Sequence, residues 1–432
     1  MHQKTVIGLS CLLIAAAVGP VVADDAADER REQYELMKLF VESLQQIESN
    51  YVTEVDRREL VDAAIQGMIR HLDQYSNYIP PEQIARFNQG VEQEFGGIGV
   101  HVDTRGQLLQ VMSPLPGSPA EKAGMRSGDV ILEVDGKSLD TISPQEAIRM
   151  IQGPAGRPVR LKILHAGAGD EPIEVSVERA VIRIPTVYGV RLADDDTWDC
   201  MYSEEEKIGY VHLSHFSRMS AEELRSAVQK LVDRGLKGLV LDLRSNPGGL
   251  LDVAIEICDM FLSEGNIVSV RGRNVADREW NASADSTFPD FPIAILVNRY
   301  SASASEVVSA ALQDNDRAII VGERTWGKGS VQNIIGLEGG DSQLKLTMAS
   351  YHRPSGINIH RLKGAAEEDD WGVRPDEGFE IQFSPEEFRL WWQARQRREI
   401  FRDKPADGAA SVFQDTQLMA AVEYVRKQLT EQ

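Results

Sequence analysis

The 432-residue sequence predicts a multidomain protein with an N-terminal helical region, a β-rich middle domain and an α/β core. Between residues 28 and 90 apolar residues recur at intervals of three and four, the spacing of an amphipathic helix. Residues 92–180 alternate short strand patterns with glycine turns, whereas residues 185–400 alternate strand and helix patterns. Residues 401–432 follow as a linker and a helix, with the helical spacing running from Leu418 to Leu429.

The first 23 residues have the organisation of a secretion signal. Lys4 precedes an apolar stretch from Val6 to Val18, and small residues end the segment at Ala23, after which we expect cleavage. The apolar stretch is short for a membrane-spanning helix, although an uncleaved membrane anchor is the alternative. The sequence therefore predicts an exported protein, with the periplasm as the expected compartment.

The N-terminal helical region presents an apolar stripe. Leu36, Leu39, Phe40, Leu44 and Ile47 lie three or four residues apart, so they share one face of a helix. This face could pack against its own domain or against a second copy of the chain.

Composition limits the classes of partner and cofactor. The formal net charge of −21 argues against nucleic-acid binding, which needs clustered Lys and Arg. No Cys and His residues have zinc-site spacing, and we expect no metal or other cofactor. A disulfide between Cys200 and Cys258 is permitted in an exported protein, but Cys258 lies on the apolar face of a predicted helix, which favours a buried thiol.

The candidate nucleophile lies at a strand-to-helix junction. The apolar run from Phe291 to Val297 predicts a buried strand, and the spacing after Glu306 predicts a helix, with the serine-rich stretch Ser301–Ser305 between them. Serines at such a junction are usually loop or capping residues. They can also be nucleophiles, because the backbone N–H groups and the helix dipole there stabilise an oxyanion.

A glycine-rich turn downstream supplies a candidate base. Lys328 lies between Gly327 and Gly329, and a lysine acts as a general base only where burial keeps its amine neutral. We expect Trp326 to provide apolar cover and Gln332 to orient the amine. The competing interpretation is an ordinary solvated turn.

A second glycine motif follows another predicted strand. Gly238–Leu243 reads as a buried strand, and Pro247-Gly248-Gly249 ends it before a helical pattern. The motif is typical of a tight turn without chemistry. Its functional interpretation is that the amide of Gly248 or Gly249 faces the serine loop and completes an oxyanion hole.

Six motifs in order resemble the carboxyl-terminal processing, or tail-specific, serine proteases. They are Gly209–Phe216, Leu243–Leu250, Ser301–Glu306, Gly327–Gln332, Arg353–Gly356 and Gly372–Asp376. The resemblance implies that Ser303 is the nucleophile, Lys328 the general base and Gln332 the residue that positions the lysine. It also implies that the amides of Gly248 and Ala304 bind the oxyanion. The chain departs from the family pattern at Gln74, Trp326 and Arg353, where proline, phenylalanine and threonine are usual.

The middle domain resembles a PDZ domain, through Gly96–Gly99, Gly117–Gly124, Gly128–Gly136 and the helical run from Ser143 to Ile151. In PDZ domains a loop of backbone amides captures a terminal carboxylate while the peptide adds a strand to the sheet. The resemblance assigns that loop to Gly96, Gly97, Ile98 and Gly99. Ile98 and residues 147–151 would then line a pocket for a small apolar terminal side chain.

Together these features predict an exported serine endopeptidase that recognises substrate C-termini and uses a Ser/Lys dyad. Its expected partners are proteins or peptides with free C-termini, a second copy bound through the N-terminal helices, and an adaptor. A non-catalytic PDZ scaffold or adaptor and a small-ester hydrolase are the alternatives. A Ser/His/Asp mechanism ranks second, because no carboxylate adjoins His212, His215, His352 or His360 in the sequence.

Overall fold

The computed structural model describes residues 22–84, 94–105, 108–166, 171–193, 197–401 and 413–431, so nearly all of the predicted signal segment lies outside the described residues. The chain divides into two compact units, residues 1–72 and 73–432. The first contains helices α1 (Val22–Asn50) and α2 (Arg57–Leu72). Apolar side chains of α1 are exposed, including Leu36, Leu39 and Phe40. No helix in the described ranges is long and apolar enough to span a bilayer.

Residues 73–79 depart from the predicted helical region. They belong to the second unit, where Asn77–Ile79 forms strand β1. This strand pairs antiparallel with residues 343–345, and Tyr78 and Ile79 are buried. Pairing with a distant strand overrides the local helical spacing, which sequence periodicity cannot foresee.

The β-rich domain is built on an antiparallel sheet covered by short helices. Its elements are β2 (Glu94–Gly97), β3 (Val100–Arg105), β4 (Leu108–Pro114), α3 (Pro119–Lys122), β5 (Val130–Val134), β6 (Lys137–Ser138), α4 (Pro144–Ile151), β7 (Pro158–Leu164), β8 (Ile173–Glu178) and β9 (Ala180–Arg183). The main sheet has the order β3-β4-β5-β7-β8, and β2 pairs with β9. Prolines at the first turns of α3 and α4 follow the N-cap serines Ser118 and Ser143, as expected for helix starts.

The α/β core begins with short strands and continues as strand–helix alternation. Its first elements are β10 (Val187–Tyr188), β11 (Arg191–Leu192), β12 (Trp198–Asp199), β13 (Met201–Ser203), β14 (Ile208–Leu213), α5 (Ser220–Asp233), β15 (Gly238–Asp242) and α6 (Leu251–Asp259). There follow β16 (Asn266–Gly272), β17 (Val275–Asn281), β18 (Ile293–Val297), α7 (Ala304–Asp314), β19 (Ile319–Gly322), β20 (Ser330–Leu337) and β21 (Ser342–His352). The chain ends with α8 (Pro385–Gln396), a π-helical turn (Arg397–Phe401) and α9 (Thr416–Glu431).

Two sheets carry the core. One has the order β10-β14-β15-β18-β19, and its last four strands are parallel and buried, as their continuous apolar runs predict. The other has the order β1-β21-β16-β17, with β20 paired to β21. The parallel arrangement brings the carboxyl ends of β15 and β18 to the same edge, so the loops that follow these strands are neighbours.

The C-terminal helix α9 packs on the parallel sheet. Ala421, Val422 and Val425 are buried against the cluster that includes Tyr210 and Val240. The segment is helical, as its spacing from Leu418 to Leu429 predicts.

The two cysteines of the core are buried and free, so they form no disulfide with each other. Burial raises the pKa of the Cys200 thiol to about 12 and raises that of Cys258 as well. The buried-thiol interpretation of Cys258 is confirmed.

Candidate active site

The three serines of the serine-rich stretch have different surroundings. Ser301 is buried and its hydroxyl donates to the carbonyl of Leu243 at 2.8 Å, while the hydroxyl of Ser305 donates to that of Asn246 at 2.9 Å. Ser303, which is half-buried, makes no such bond to the loop after β15. Ser301 and Ser305 therefore fasten the serine-rich stretch to the loop after β15, and Ser303 is the candidate nucleophile.

Ser303 has an unusual backbone conformation. It lies immediately before α7 with φ 57° and ψ −117°, which side chains other than glycine rarely adopt. Such a residue costs about 1–3 kcal/mol and persists only where its surroundings hold it. A strained strand-to-helix turn is also the place where nucleophilic serines lie in other hydrolases.

Glu306 links this turn to the loop that carries Lys328, called the lysine loop below. Its fully buried carboxylate accepts hydrogen bonds from the backbone N–H groups of Ser303 and Lys328, both at 2.8 Å, through one oxygen. The other oxygen accepts from Thr325 Oγ1 at 2.6 Å and from the N–H of Gly327 at 2.7 Å. Burial raises the pKa of Glu306 to about 6 against the opposing effect of these four bonds. One carboxylate thus joins the backbones of the candidate nucleophile and base.

Lys328 is half-buried in the loop before β20. Burial, followed by repulsion from Lys345, lowers the pKa of its ammonium, while the Glu306 carboxylate opposes the shift. Its Nζ lies 5.4 Å from the ring centre of Tyr75. In the described residues no hydrogen bond joins the Lys328 amine to Ser303, although their backbones share Glu306.

Trp326 and Gln332 do not have the positions expected from the sequence. Trp326 is 45% exposed, and its Nε1 donates to Tyr75 Oη at 3.2 Å. The Lys328 amine lies over the ring of Tyr75. Gln332 lies on β20, and its amide donates to Ser330 Oγ at 2.7 Å and to Thr347 Oγ1 at 3.3 Å. The Gln332 side chain therefore contacts the β20–β21 pair in this structure rather than the lysine.

The Pro-Gly-Gly turn does face the serine loop. A Cβ on Gly248, which has φ 95°, would lie 2.6 Å from the carbonyl oxygen of Ala302 and 2.8 Å from the nitrogen of Ala304. Only glycine permits this approach. The Ala304 N–H makes no hydrogen bond within the described residues, but the Gly248 N–H donates to Asn246 Oδ1 at 2.9 Å. One predicted oxyanion donor is free and the other is engaged by Asn246.

In the β-rich domain, Gly96–Gly99 packs against the ends of both short helices. The carbonyl of Gly96 accepts from the N–H of Gly153 at 2.9 Å, and that of Ile98 accepts from the N–H of Ala120 at 2.9 Å. Ile98 is 1% exposed and belongs to the domain core. The expectation that its side chain lines an open pocket is therefore wrong. Strand β3, which follows the loop, pairs only with β4 among the described strands.

The histidines occupy other parts of the core. His212 is buried and its Nδ1 lies 3.0 Å from Glu399 Oε1, a partner 187 residues away that sequence adjacency could not reveal. Burial lowers the pKa of His212, as does repulsion from Arg395. His360 stacks edge-on to Tyr75 at 5.9 Å. No hydrogen bond links a described histidine to Ser303, so this geometry does not favour a Ser/His/Asp triad.

Comparison with known proteins places these features in a family. Three family models match the sequence: Peptidase family S41 over residues 207–378, a PDZ domain over 110–164, and the Activating protease CtpB N-terminal domain over 17–83. The first covers the serine loop, the glycine turn and the lysine loop described above. The second covers most of the β-rich domain.

Individual relatives agree with the family models. A carboxy-terminal-processing protease of Bartonella bacilliformis is 33% identical over 450 residues, spanning 100% of this chain and 97% of that protein. The carboxy-terminal processing protease CtpA of Bacillus subtilis is 37% identical over 73% of this chain and 65% of its own length. A solved S41 protease of Bacteroides fragilis shares the fold, with a TM-score of 0.50 and 16% identity over 88% of this chain and 93% of that one. The predicted fold class is confirmed, and the chain belongs to the carboxy-terminal-processing proteases of peptidase family S41, a serine-type peptidase with a PDZ domain.

Proposed function

We propose that this peptidase is an exported endopeptidase that captures substrate C-termini through its PDZ domain and cleaves peptide bonds with a Ser303/Lys328 dyad. The observation that carries the dyad is the Glu306 carboxylate, which accepts from the backbone N–H of both residues. The lowered pKa of Lys328 supports a neutral amine, which a general base requires.

The proposed reaction is acyl transfer in two stages. The Ser303 hydroxyl attacks the scissile carbonyl as Lys328 accepts its proton, and the ammonium then gives that proton to the leaving amine. Lys328 next takes a proton from a water molecule, whose oxygen attacks the acyl carbonyl. The ammonium then returns the proton to Ser303 Oγ as the ester bond breaks. The Ala304 N–H binds the oxyanion, and the Gly248 N–H joins it once it leaves Asn246.

C-terminal capture is assigned to the edge of the PDZ domain. Because β3 pairs only with β4 in the described part of the sheet, its outer side can accept an extended peptide as a further strand. Gly96–Gly99 immediately precedes this strand, where the terminal carboxylate would be bound. Unfolded or tagged proteins with a free C-terminus are therefore the proposed substrates.

The remaining parts of the proposal concern location and assembly. The predicted signal segment supports export to the periplasm, with an uncleaved anchor as the alternative. The exposed apolar side chains of α1, among them Tyr34, Leu36 and Met37, support a homo-oligomer formed through this helix, and an adaptor remains a proposed partner.

Cleavage of an unfolded protein with a free apolar C-terminus tests the proposal, followed by mass spectrometry of the products. Wild type should cleave, whereas Ser303→Ala and Lys328→Ala should not, although both should still bind the C-terminal peptide. Amidation of the substrate C-terminus should raise KM. Full turnover by Lys328→Ala would overturn the dyad, and an unchanged KM would overturn C-terminal capture. Binding without cleavage by wild type would favour the scaffold alternative, and cleavage of small esters alone would favour the esterase.

A further inference from the structure

A short loop reaches the candidate base from a distant part of the sequence. Residues 73–76 precede β1, and Asp73 Oδ1 accepts from the N–H groups of Tyr75 at 2.7 Å and of Ser76 at 2.8 Å. Ser76 Oγ donates to Asp73 Oδ2 at 2.9 Å and accepts from the N–H of Thr347 at 3.0 Å. These bonds fix the loop conformation and fasten it to β21, beside the strand that carries Gln332.

Tyr75 is the residue of this loop that contacts the site. Its ring centre is 5.4 Å from Lys328 Nζ, and its hydroxyl accepts from Trp326 Nε1 at 3.2 Å. His360 packs edge-on against the same ring at 5.9 Å. Tyr75 is thus held by its own loop and by groups from two other segments, while its ring lies against the amine.

Tyr75 also lines a groove of about 640 Å³ beside the site, together with Tyr300, Trp326 and Trp371. The groove is open, since Trp326 and Tyr300 are each 45% exposed. Truncating Tyr75 would connect the space around the amine with this groove. Water reaching the amine would stabilise its charged form.

We propose that Tyr75 is a positioning residue for proteolysis, whose ring shields the Lys328 amine from water in the adjoining groove. The proposal rests on the role of Lys328 as the general base. It assigns to Tyr75 the shielding that the sequence had suggested for Trp326.

Charged groups near Lys328 also change the pKa of its amine. Lys345 on β21 repels the ammonium, and the Glu306 carboxylate at the start of α7 attracts it. Asp73 and His360 lie around Tyr75, and the carboxylate of Asp73 acts on His360 rather than on the lysine. A cation–π attraction from the ring favours the ammonium, but burial is the largest cause of the lowered Lys328 pKa. Removal of the ring should therefore raise that pKa.

The test is the pH dependence of kcat/KM for cleavage of an unfolded protein, measured from about pH 6 to about pH 10. The acid limb of this profile is the rise of kcat/KM with pH as the base loses its proton. In Tyr75→Ala this limb should move to higher pH by about one pH unit. Turnover at neutral pH should fall about tenfold and recover at high pH. Tyr75→Phe retains the ring and should leave the acid limb in place. Ser76→Ala, which loosens the loop, should move the limb in the same direction by less.

Ile79→Val in β1 is the matched control, because it trims a buried side chain next to the loop and leaves Tyr75 unchanged. It should lower Tm without moving the acid limb. If Lys328→Ala is inactive and the acid limb of Tyr75→Ala stays in place or moves to lower pH, the proposal for Tyr75 is overturned. Activity in Lys328→Ala would instead overturn the dyad on which the proposal rests.

Discussion

Replacing Glu306 with glutamine should loosen the link between the loop of the proposed nucleophile, Ser303, and the loop of the proposed base, Lys328. In the wild type each carboxylate oxygen accepts two hydrogen bonds, one pair from the N–H groups of Ser303 and Lys328 and the other from Thr325 and Gly327. A glutamine has one acceptor oxygen and one NH₂ group. With the NH₂ towards Ser303 and Lys328, both of their bonds are lost. With the NH₂ towards Thr325 and Gly327, the Thr325 hydroxyl can turn and accept, and the bond from the Gly327 N–H is lost.

The size of the effect follows from two opposing contributions. Each lost bond to a charged acceptor contributes about 1.5–3 kcal/mol, so one or two lost bonds cost about 1.5–6 kcal/mol. Against this, the raised pKa of about 6 means that folding favours the protonated Glu306, a contribution to stability that is present below pH 4.5 and lost as the pH rises through 6. Glutamine therefore avoids about 2 kcal/mol of ionisation cost at neutral pH. The loss of stability is therefore at most about 4 kcal/mol. Misplacement of the Ser303 and Lys328 backbones predicts a fall in kcat of about tenfold to a hundredfold.

The measurement is kcat and KM for cleavage of an unfolded protein, with thermal unfolding followed in parallel. Ser309→Ala is the control, because Ser309 lies on the same helix as Glu306 and its buried hydroxyl donates to the carbonyl of Ser305 rather than to Ser303 or Lys328. It should change stability slightly and leave kcat near that of wild type. A folded Glu306→Gln whose kcat stays within about threefold of wild type would show that Glu306 does not position the two loops.

Three other predictions test separate features. Gly248→Ala should abolish cleavage and destabilise the fold by about 1–3 kcal/mol, because its Cβ would strike the serine loop and its φ is 95°; circular dichroism and activity would show both. Burial alone would raise the pKa of Glu399, but His212 and neighbouring arginines bring it to about 2. Stability from this group is therefore lost as pH falls from 4.5 towards 2, so Glu399→Gln should cost about 3 kcal/mol at neutral pH and flatten the acid dependence in urea unfolding. Cys200 and Cys258 should resist thiol reagents until the protein is unfolded, with labelling counted by mass spectrometry, because both are buried and free.

The sequence predicted most of the parallel sheet and the loops at its edge. Strands such as Ile293–Val297 are continuous apolar runs, and the serine and glycine motifs directly follow them. Local patterns of this kind survive in the fold because strands buried on both faces need apolar residues throughout. Strand β17 was not predicted. Its sequence from Val275 to Asn281 is largely exposed, contains charged residues and has no apolar alternation.

Some residues of the candidate site carry a local sequence signal, whereas others are brought there by contacts between distant segments. A signal for Glu306 was present, because a serine followed three residues later by glutamate is the spacing of a capping box. No comparable signal marked Tyr75, whose contact with Trp326 spans 251 residues. The contact with Lys328 arises from pairing of β1 with β21, and such pairing depends on tertiary structure. The assignment of shielding to Trp326 followed sequence adjacency, which says little about which ring faces an amine.

The hydrogen bonds of the proposed oxyanion donors, Ala304 and Gly248, indicate which part of the site would change when substrate binds. Ser303 already has its strained conformation, and Glu306 already holds its N–H, so the nucleophile turn needs no rearrangement. The Gly248 N–H, by contrast, donates to Asn246, whose Nδ2 in turn donates to the carbonyl of Leu213 at 2.7 Å. Release of one neutral hydrogen bond costs about 1 kcal/mol, whereas a bond to an oxyanion returns about twice as much or more. Because the neutral carbonyl of a bound substrate gains less from that N–H than the oxyanion does, exchange of Asn246 for substrate favours the transition state over the ground state.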